Sequence, residues 1–323
     1  MLKSEELINK VKSYNKFLNP KTLRKAYDFA LRAHKTQKRD EGVPYIIHPV
    51  AVADILTDLK LDSATIVTGL LHDTIEDTHA TYNTIKEEFG QEVADLVDGV
   101  TKISAFENQA VDNSKAENFR KLILVTSKDI RVLLVKIADR LHNMRTLSSM
   151  RHDKQIKISS ETKFLYAPLA HRLGLYSIKS ELEDLGFRYT EPTVYQDIED
   201  QLKSTQDVRN KFIRKFKQPI KEALEREGYD FKIKVRTKSI SSIWRKMMAK
   251  GVPFDQVYDV FAIRIILSTS MELEKPDCWR IYSIVTDFYQ PSPDRLRDWI
   301  STPRANGYES LHTTVMSNIG KWV

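Results

Sequence analysis

The stretch Ile66–Asp77, Ile-Val-Thr-Gly-Leu-Leu-His-Asp-Thr-Ile-Glu-Asp, sets four ionisable side chains, His72, Asp73, Glu76 and Asp77, against an apolar run. Ile66, Val67, Leu70, Leu71 and Ile75 recur at helical spacing, so the segment is expected to be a helix with His72 above Glu76 and Asp73 above Asp77. An imidazole beside a carboxylate is a donor pair for a borderline-to-hard divalent metal, and the two acids one turn on can orient or deprotonate a water. The same residues also fit a solvated acidic helix end.

Two more donors occur in similarly apolar settings. His48 lies in Tyr45-Ile-Ile-His-Pro-Val, and Asp139 emerges from the apolar run that starts at Val132. A carboxylate there is costly to bury unpaired, and a metal removes that cost. His48, His72, Asp73 and Asp139 make a set of two imidazoles and two carboxylates suited to Mn, Fe or Zn, with positions left for water and a substrate phosphate.

The His…His-Asp…Asp spacing resembles the HD phosphohydrolase superfamily. Arg39, Gly42-Val-Pro-Tyr-Ile-Ile-His-Pro-Val, Leu71-His-Asp-Thr-Ile-Glu-Asp, Asp98-Gly-Val-Thr-Lys and Lys136-Ile-Ala-Asp-Arg-Leu-His-Asn-Met-Arg-Thr-Leu resemble, more narrowly, the hydrolase half of the long RelA/SpoT-type (p)ppGpp enzymes. The resemblance implies Mn²⁺ on His48, His72, Asp73 and Asp139. It implies that Glu76 and Asp77 position and deprotonate the water that attacks the 3′-pyrophosphate, and that Arg39 packs on guanine while Asn143 and Thr146 make polar contacts to the nucleotide. Asp40-Glu41 departs from the basic or small residue and serine that the family more often carries there.

At 323 residues the chain exceeds what one core usually organises, so two domains are expected. With 41% hydrophobic and 29% charged residues, it reads as a helix-rich folded protein rather than a disordered one. The expected division is a hydrolase domain over 1–155, a helical connector over 156–203 and a synthetase domain over 204–323. Cys278 is the only cysteine, and neither a signal-like leader nor a membrane-length apolar run is evident, so a reducing cytoplasm is the expected setting. The net charge of +7 favours polyanionic ligands, whether nucleotides, RNA or a membrane surface.

Helical spacing recurs over Leu7–Leu18, Leu23–His34, Val50–Leu59 and Thr84–Val100, with Gly90 and Gly99 as expected helix ends. His34 falls on an apolar face and reads as a core histidine. Ile103–Ala116 is expected to be a mobile loop near the pocket, with helices resuming over Glu117–Ser127 and Ile130–Leu147, so the first half is all α. Gly174 and Gly186 are expected interruptions of the connector helices, and Tyr166-Ala-Pro-Leu-Ala-His-Arg-Leu-Gly resembles the family's junction between its two activities. His171 there has no partner donors and reads as structural.

After a basic helix over Val208–Gly228, the period-two alternation of Tyr229–Arg236 marks a strand with one apolar face. Arg236–Met248 reads as a helix with a serine-rich basic start, where Arg236, Lys238, Ser242 and Lys246 could gather triphosphate oxygens; RNA binding fits that stretch equally well. The strand Val257–Leu267 is apolar on both faces, as a central strand would be, apart from Asp259 and Arg264. Asp259 suits a Mg²⁺ ligand bridging ATP phosphates. The stretch from Arg295 to Val315 looks like the family's synthetase signature. In that reading Tyr308 stacks on the acceptor guanine, Asn306 and His312 add polar contacts, and Arg295, Arg297 and Arg304 meet phosphates. The second domain is therefore expected to be a mixed α/β nucleotidyltransferase-like fold with a small central sheet.

The family places a second catalytic carboxylate on a strand just past a segment like Met316–Val323, so a truncated synthetase with weak or no synthesis is expected, as is the loss of C-terminal domains that would bring ribosome association. The implied ligands are ppGpp or pppGpp, GDP or GTP, and ATP, with no membrane partner. Two alternatives stay open on the sequence: an HD hydrolase of other nucleotides with a nucleotide-sensing second half, and a basic ribosome- or RNA-binding regulator with relic sites.

Overall fold

The computed structural model describes residues 2–109, 128–257, 260–304 and 307–323. The expected helix over Glu117–Ser127, Asp259 and Asn306 lie outside the described residues. The chain divides into two compact units, Met1–Thr190 and Glu191–Val323, a boundary that falls inside the expected connector. Among the described residues no helix is long and apolar enough to cross a membrane.

Among the described residues the elements of the first unit are all helices. Its centre is built from α3 (Ile47–Asp58), α4 (Ser63–Leu71) and α8 (Ile130–Arg145), with α1 (Ser4–Lys12) and α2 (Pro20–Ala33) before them and α5 (Thr74–Asp77), α6 (Tyr82–Phe89) and α7 (Gln91–Gln109) between. Every residue of α4 from Thr65 to Leu71 is buried, because helices surround it on all sides. Asp62 caps it, accepting from the Thr65 amide at 3.0 Å, and Asp129 caps α8 through the Arg131 amide at 2.9 Å.

Gly69 sets how closely α3 and α4 approach. A Cβ on it would lie 2.6 Å from Leu56 Cδ1 and 3.3 Å from Ala53 Cα, so a larger residue would require Leu56 to swing aside and the Ala53 backbone to give by a few tenths of an ångström. Gly99 does the same between α7 and α8, where a Cβ would lie 2.9 Å from Val132 Cγ2. Gly99 was expected to end a helix, yet α7 continues through it to Gln109, and the helix also takes up Ile103–Gln109 of the expected loop. The reason is apolar: Val100 and Ile103 keep the buried stripe going. Gly186, likewise expected as an interruption, sits inside α11 (Tyr176–Thr190), where a Cβ would lie 3.4 Å from the Ser159 carbonyl of α9 (His152–Glu161). Gly90 and Gly174 do interrupt helices, at φ +90° and +75°. Between α9 and α10 (Ala167–Arg172) the backbone widens into a π-turn, Thr162–Tyr166, and the buried Tyr166 ring carries the Arg140 guanidinium 4.3 Å above it.

In the second unit, α12 (Pro192–Ser204) and the long α13 (Gln206–Arg226) lead to the strand β1 (Phe231–Thr237). Strand β1 pairs antiparallel with β2 (Phe261–Leu267), Lys234 facing Arg264. Among the described residues β2 has β1 as its one partner strand. Its Phe261, Ile263, Ile265 and Leu267 face inward while Ala262, Arg264 and Ile266 are outward, so it behaves as a half-buried strand rather than the two-faced central one expected. The helix α14 (Ile240–Lys250) starts four residues later than the sequence pattern implied, because Arg236 and Thr237 remain in β1. Two short antiparallel pairs complete the unit: β3 (Gln290–Pro291) with β6 (Val315–Met316), and β4 (Arg297–Asp298) with β5 (Leu311–His312). The core lies between α13 and α15 (Glu274–Phe288), where Phe216 and Tyr289 stack at 4.2 Å.

Candidate active site

Helix α4 stops at Leu71, and His72 and Asp73 form a turn before α5. The expected unbroken helix is therefore replaced by two helices with the His-Asp doublet at the break. Side chains end α4 in place of the next helical amides: His72 Nδ1 donates to the Gly69 carbonyl at 2.9 Å and Thr74 Oγ1 to the Leu71 carbonyl at 2.6 Å. Asp73 sits at φ −95°, ψ −4°, off the helical values.

The break aims the doublet at α3 and α8. His48 Nε2 lies 3.4 Å from Asp73 Oδ2 and 3.2 Å from Asp139 Oδ1; His72 Nε2 lies 3.1 Å from Asp73 Oδ1 and 4.0 Å from Asp139 Oδ1. Residues far apart in the chain, all four expected from the sequence, thus meet at one point. These spacings are those of neighbouring donors each about 2.1 Å from a common ion. His48, His72 and Asp139 are buried and Asp73 partly so. Because His72 Nδ1 already donates to a carbonyl, its Nε2 is the free lone pair, and that buried atom has no hydrogen-bond partner in the protein. An orphaned imidazole nitrogen aimed at two carboxylates is what a divalent ion would satisfy.

The electrostatics agree. Burial works against a charged His72, but the neighbouring Asp73 and then Asp139 overcome it and carry the imidazole up to about 9. Burial likewise opposes a charged Asp73, yet His72 beside it holds the carboxyl well below the usual range. In the metal-free pocket these acids favour a proton on His72 Nε2, the atom that would give up that proton to offer its lone pair to a divalent ion. His48 is pushed down, by burial first.

Around this cluster lies a second layer, which the sequence reading missed in part. Tyr45 donates its hydroxyl to Asp73 Oδ2 at 2.7 Å and to Asp77 Oδ2 at 3.1 Å. Burial and the nearby acids hold its phenol far above the ordinary value, so it remains a donor. His34 is buried, as expected, and sits outside the cluster; it stacks on Tyr45 at 4.7 Å, with Nδ1 2.6 Å from Gln37 Oε1. His142 Nδ1 lies 2.8 Å from His48 Nδ1. Lys136, buried, reaches Asp139 Oδ2 at 2.9 Å and Ser104 Oγ at 3.2 Å. Lys136, His142 and Asn143 occupy positions three before, three after and four after Asp139, the one signal that could have flagged them.

Asn143, Thr146 and Arg39 are brought together. Asn143 Nδ2 donates to Asp139 Oδ1 at 2.6 Å, and an Arg39 amino group donates to Asn143 Oδ1 at 3.0 Å and Thr146 Oγ1 at 3.1 Å. Glu76 and Asp77 lie at the exposed mouth of the cluster. Both carboxyls are raised, by burial first; Asp73 raises each of them, while a hydrogen bond from Ser104 offsets part of the rise for Glu76 and one from Tyr45 does so for Asp77.

In the second unit Arg236 lies next to the last residue of β1, Lys238 follows the strand with its amide bonded to the Val260 carbonyl at 2.8 Å, and Ser242 and Lys246 lie on α14. Ser239 Oγ donates to Ser242 Oγ at 2.8 Å, tying the loop to the helix start. Tyr308, His312 and Arg304 form a separate group. The Tyr308 hydroxyl lies 2.8 Å from His312 Nε2, and the Arg304 guanidinium lies 4.2 Å above Trp299 and 5.9 Å from Tyr308. Arg297 pairs across the strands with His312, whose imidazole is lowered by burial and then by Arg264 and Arg304. Arg295 closes a short 3₁₀ turn, Pro293–Arg295.

Residues 26–176 match the HD domain model, and residues 235–323 match the model described as a region found in RelA / SpoT proteins. The chain is 43% identical over 316 residues to a GTP pyrophosphokinase rsh of Brucella melitensis, covering 98% of this chain and 42% of that protein. It is 45% identical over 302 residues to the guanosine-3′,5′-bis(diphosphate) 3′-pyrophosphohydrolase of Aquifex aeolicus, covering 93% and 42% respectively. To the bifunctional (p)ppGpp synthase/hydrolase SpoT of Escherichia coli it is 44% identical over 300 residues, again covering 93% and 42%. The chain spans about two fifths of the length of the curated relatives it matches. The chain thus carries an HD domain followed by a RelA/SpoT region, and RelA/SpoT-type relatives match it along nearly its whole length.

Proposed function

We propose that the first unit hydrolyses the 3′-pyrophosphate of ppGpp and pppGpp, giving GDP or GTP and pyrophosphate, in the alarmone metabolism of the stringent response. The observation that carries this reading is the convergence of His48, His72, Asp73 and Asp139 with the His72 Nε2 lone pair left bare among them. Those four side chains would hold the ion, for which the imidazole–carboxylate mixture suits Mn²⁺. A divalent ion there supplies Lewis-acid polarisation of a phosphate oxygen and a water of lowered pKa.

The chain's own groups do the rest. Asp77 and Glu76, at the mouth, orient the attacking water and take its proton as oxygen bonds to phosphorus; the 3′-oxygen–phosphorus bond breaks and the ribose oxygen is protonated. Their raised carboxyls suit proton uptake nearer neutrality than an ordinary acid allows. Arg39 presents a planar guanidinium for a guanine face, with Asn143 and Thr146 behind it fixing its orientation.

For the second unit the reading is pyrophosphate transfer from ATP to GDP or GTP. Arg236, Lys238, Ser242 and Lys246 would meet the triphosphate, Asp259 would hold Mg²⁺, and Tyr308 with Asn306, His312, Arg295, Arg297 and Arg304 would take the acceptor. The β1 end and the following helix start support the first set, and the Tyr308–His312–Arg304 group supports the second.

The test is incubation with ppGpp and Mn²⁺, with and without chelator, for the parent and His72→Ala. Mn²⁺-dependent pyrophosphate release by the parent alone supports the reading. No release from the folded parent overturns it.

A further inference from the structure

His142 Nδ1 and His48 Nδ1 face each other at 2.8 Å, both imidazoles buried. A contact between two ring nitrogens at that distance holds one hydrogen: one nitrogen donates and the other accepts. The other nitrogen of His48, Nε2, is the one that faces Asp73 and Asp139. For Nε2 to offer a lone pair to an ion, the hydrogen of a neutral His48 ring must sit on Nδ1, and the atom placed to accept it is His142 Nδ1.

From this geometry we infer that His142 is a positioning residue, which accepts a hydrogen bond from His48 and so fixes Nε2 as the nitrogen that binds the ion. The inference rests on the metal reading above. His142 lies one helical turn after Asp139 on α8, so a single helix supplies one donor directly and orients a second, His48, on α3. His72 obtains the same service from the backbone, its Nδ1 hydrogen going to the Gly69 carbonyl. The two imidazoles are thus oriented by different devices, and only that of His48 can be removed by a side-chain substitution.

The test compares Mn²⁺ affinity, read by electron paramagnetic resonance of free Mn²⁺, in the parent, His142→Leu and His142→Gln. Leucine fills similar volume without an acceptor, whereas the glutamine oxygen can accept from His48. The expected result is affinity about 10- to 100-fold weaker in His142→Leu and within about threefold of the parent in His142→Gln. Equal affinity in parent and His142→Leu overturns the inference, as does equal loss in both variants, which would mark His142 as packing alone. A second readout needs no variant: long-range ¹H–¹⁵N correlation spectra of the Zn²⁺-loaded parent should place the His48 hydrogen on Nδ1, and a hydrogen on Nε2 overturns it. A folded parent that binds no Mn²⁺ overturns the metal reading itself, an outcome distinct from either of these.

Discussion

Tyr45 donates its hydroxyl to Asp73 Oδ2 at 2.7 Å, tying the residue one turn before His48 to the acid beside His72. The same hydroxyl reaches Asp77 at 3.1 Å, so one phenol spans a proposed ion-holding carboxylate and a proposed proton acceptor. Its hydrogen bond pulls the Asp77 carboxyl down against burial and against Asp73, both of which raise it. In Tyr45→Phe that pull is lost, and Asp77 is protonated at higher pH. The acid limb of the pH–rate profile for ppGpp hydrolysis should move to higher pH, with kcat at neutrality reduced by roughly tenfold. An unmoved acid limb would count against Asp77 as the proton acceptor.

Lys136 is a buried ammonium that pairs with Asp139 at 2.9 Å. Burial penalises the charged Asp139, and Lys136 is the first of the groups that nevertheless keep its carboxyl well below the usual range. Lys136→Met leaves that carboxylate without its ammonium, which costs about 3–5 kcal/mol for a broken buried pair. Urea denaturation of the metal-free variant should show this loss, and Mn²⁺ should raise the variant's melting temperature by more than the parent's. A metal-free variant as stable as the parent would contradict the account.

Gly69 allows α3 and α4 to touch, and that contact brings the His48 and His72 rings to 5.1 Å. In Gly69→Ala the new methyl meets Leu56 Cδ1 and the Ala53 backbone, an overpacking that costs about 1–3 kcal/mol. Leu56 must swing aside and the Ala53 backbone give by a few tenths of an ångström, which loosens α3 against α4, so Mn²⁺ affinity should fall together with stability. Thermal melts and Mn²⁺ titration check both, and loss of stability with unchanged affinity would separate the helix contact from the site.

Two imidazoles give the metal-free chain opposite pH limbs. His142 is lowered to about 3 by burial, His48 and Arg39, against an ordinary 6.5. The unfolded chain therefore takes up this proton first, and the stability His142 contributes is present above pH 6.5 and lost as pH falls toward 3. His72, raised to about 9, contributes stability that is present below pH 6.5 and lost as pH rises through 9. Metal-free stability should peak near pH 6.5, with each limb sloping about 1.4 kcal/mol per pH unit per proton. His142→Gln should make the acid limb shallower and leave the alkaline limb unchanged, His48, also lowered by burial, keeping part of the acid slope; a parent profile flat from pH 4 to 9 would refute the assignment.

The convergence of these side chains was legible because a carboxylate such as Asp139 inside an apolar run has few ways to be buried without a cation. The break at His72-Asp73 was not, since Ile75 keeps the helical spacing going on both sides of it and the stop is made by side-chain hydrogen bonds from His72 and Thr74. Lys136 and His142 carried no signal of their own, because spacing from Asp139 does not reveal which face is enclosed. Gly99 read as a helix end and Gly186 as an interruption, whereas both lie inside helices, packed close to Val132 and to the Ser159 carbonyl. In the second unit the alternation of β1 was plain, but the burial of β2 on one face alone depends on pairing that no local pattern encodes.

The central claim is most directly tested by anomalous diffraction at the manganese edge from crystals of the chain soaked in Mn²⁺. The account predicts a peak within bonding distance of His48 Nε2, His72 Nε2 and the Asp73 and Asp139 carboxylates. No peak at that point, with those four side chains ordered, would contradict it.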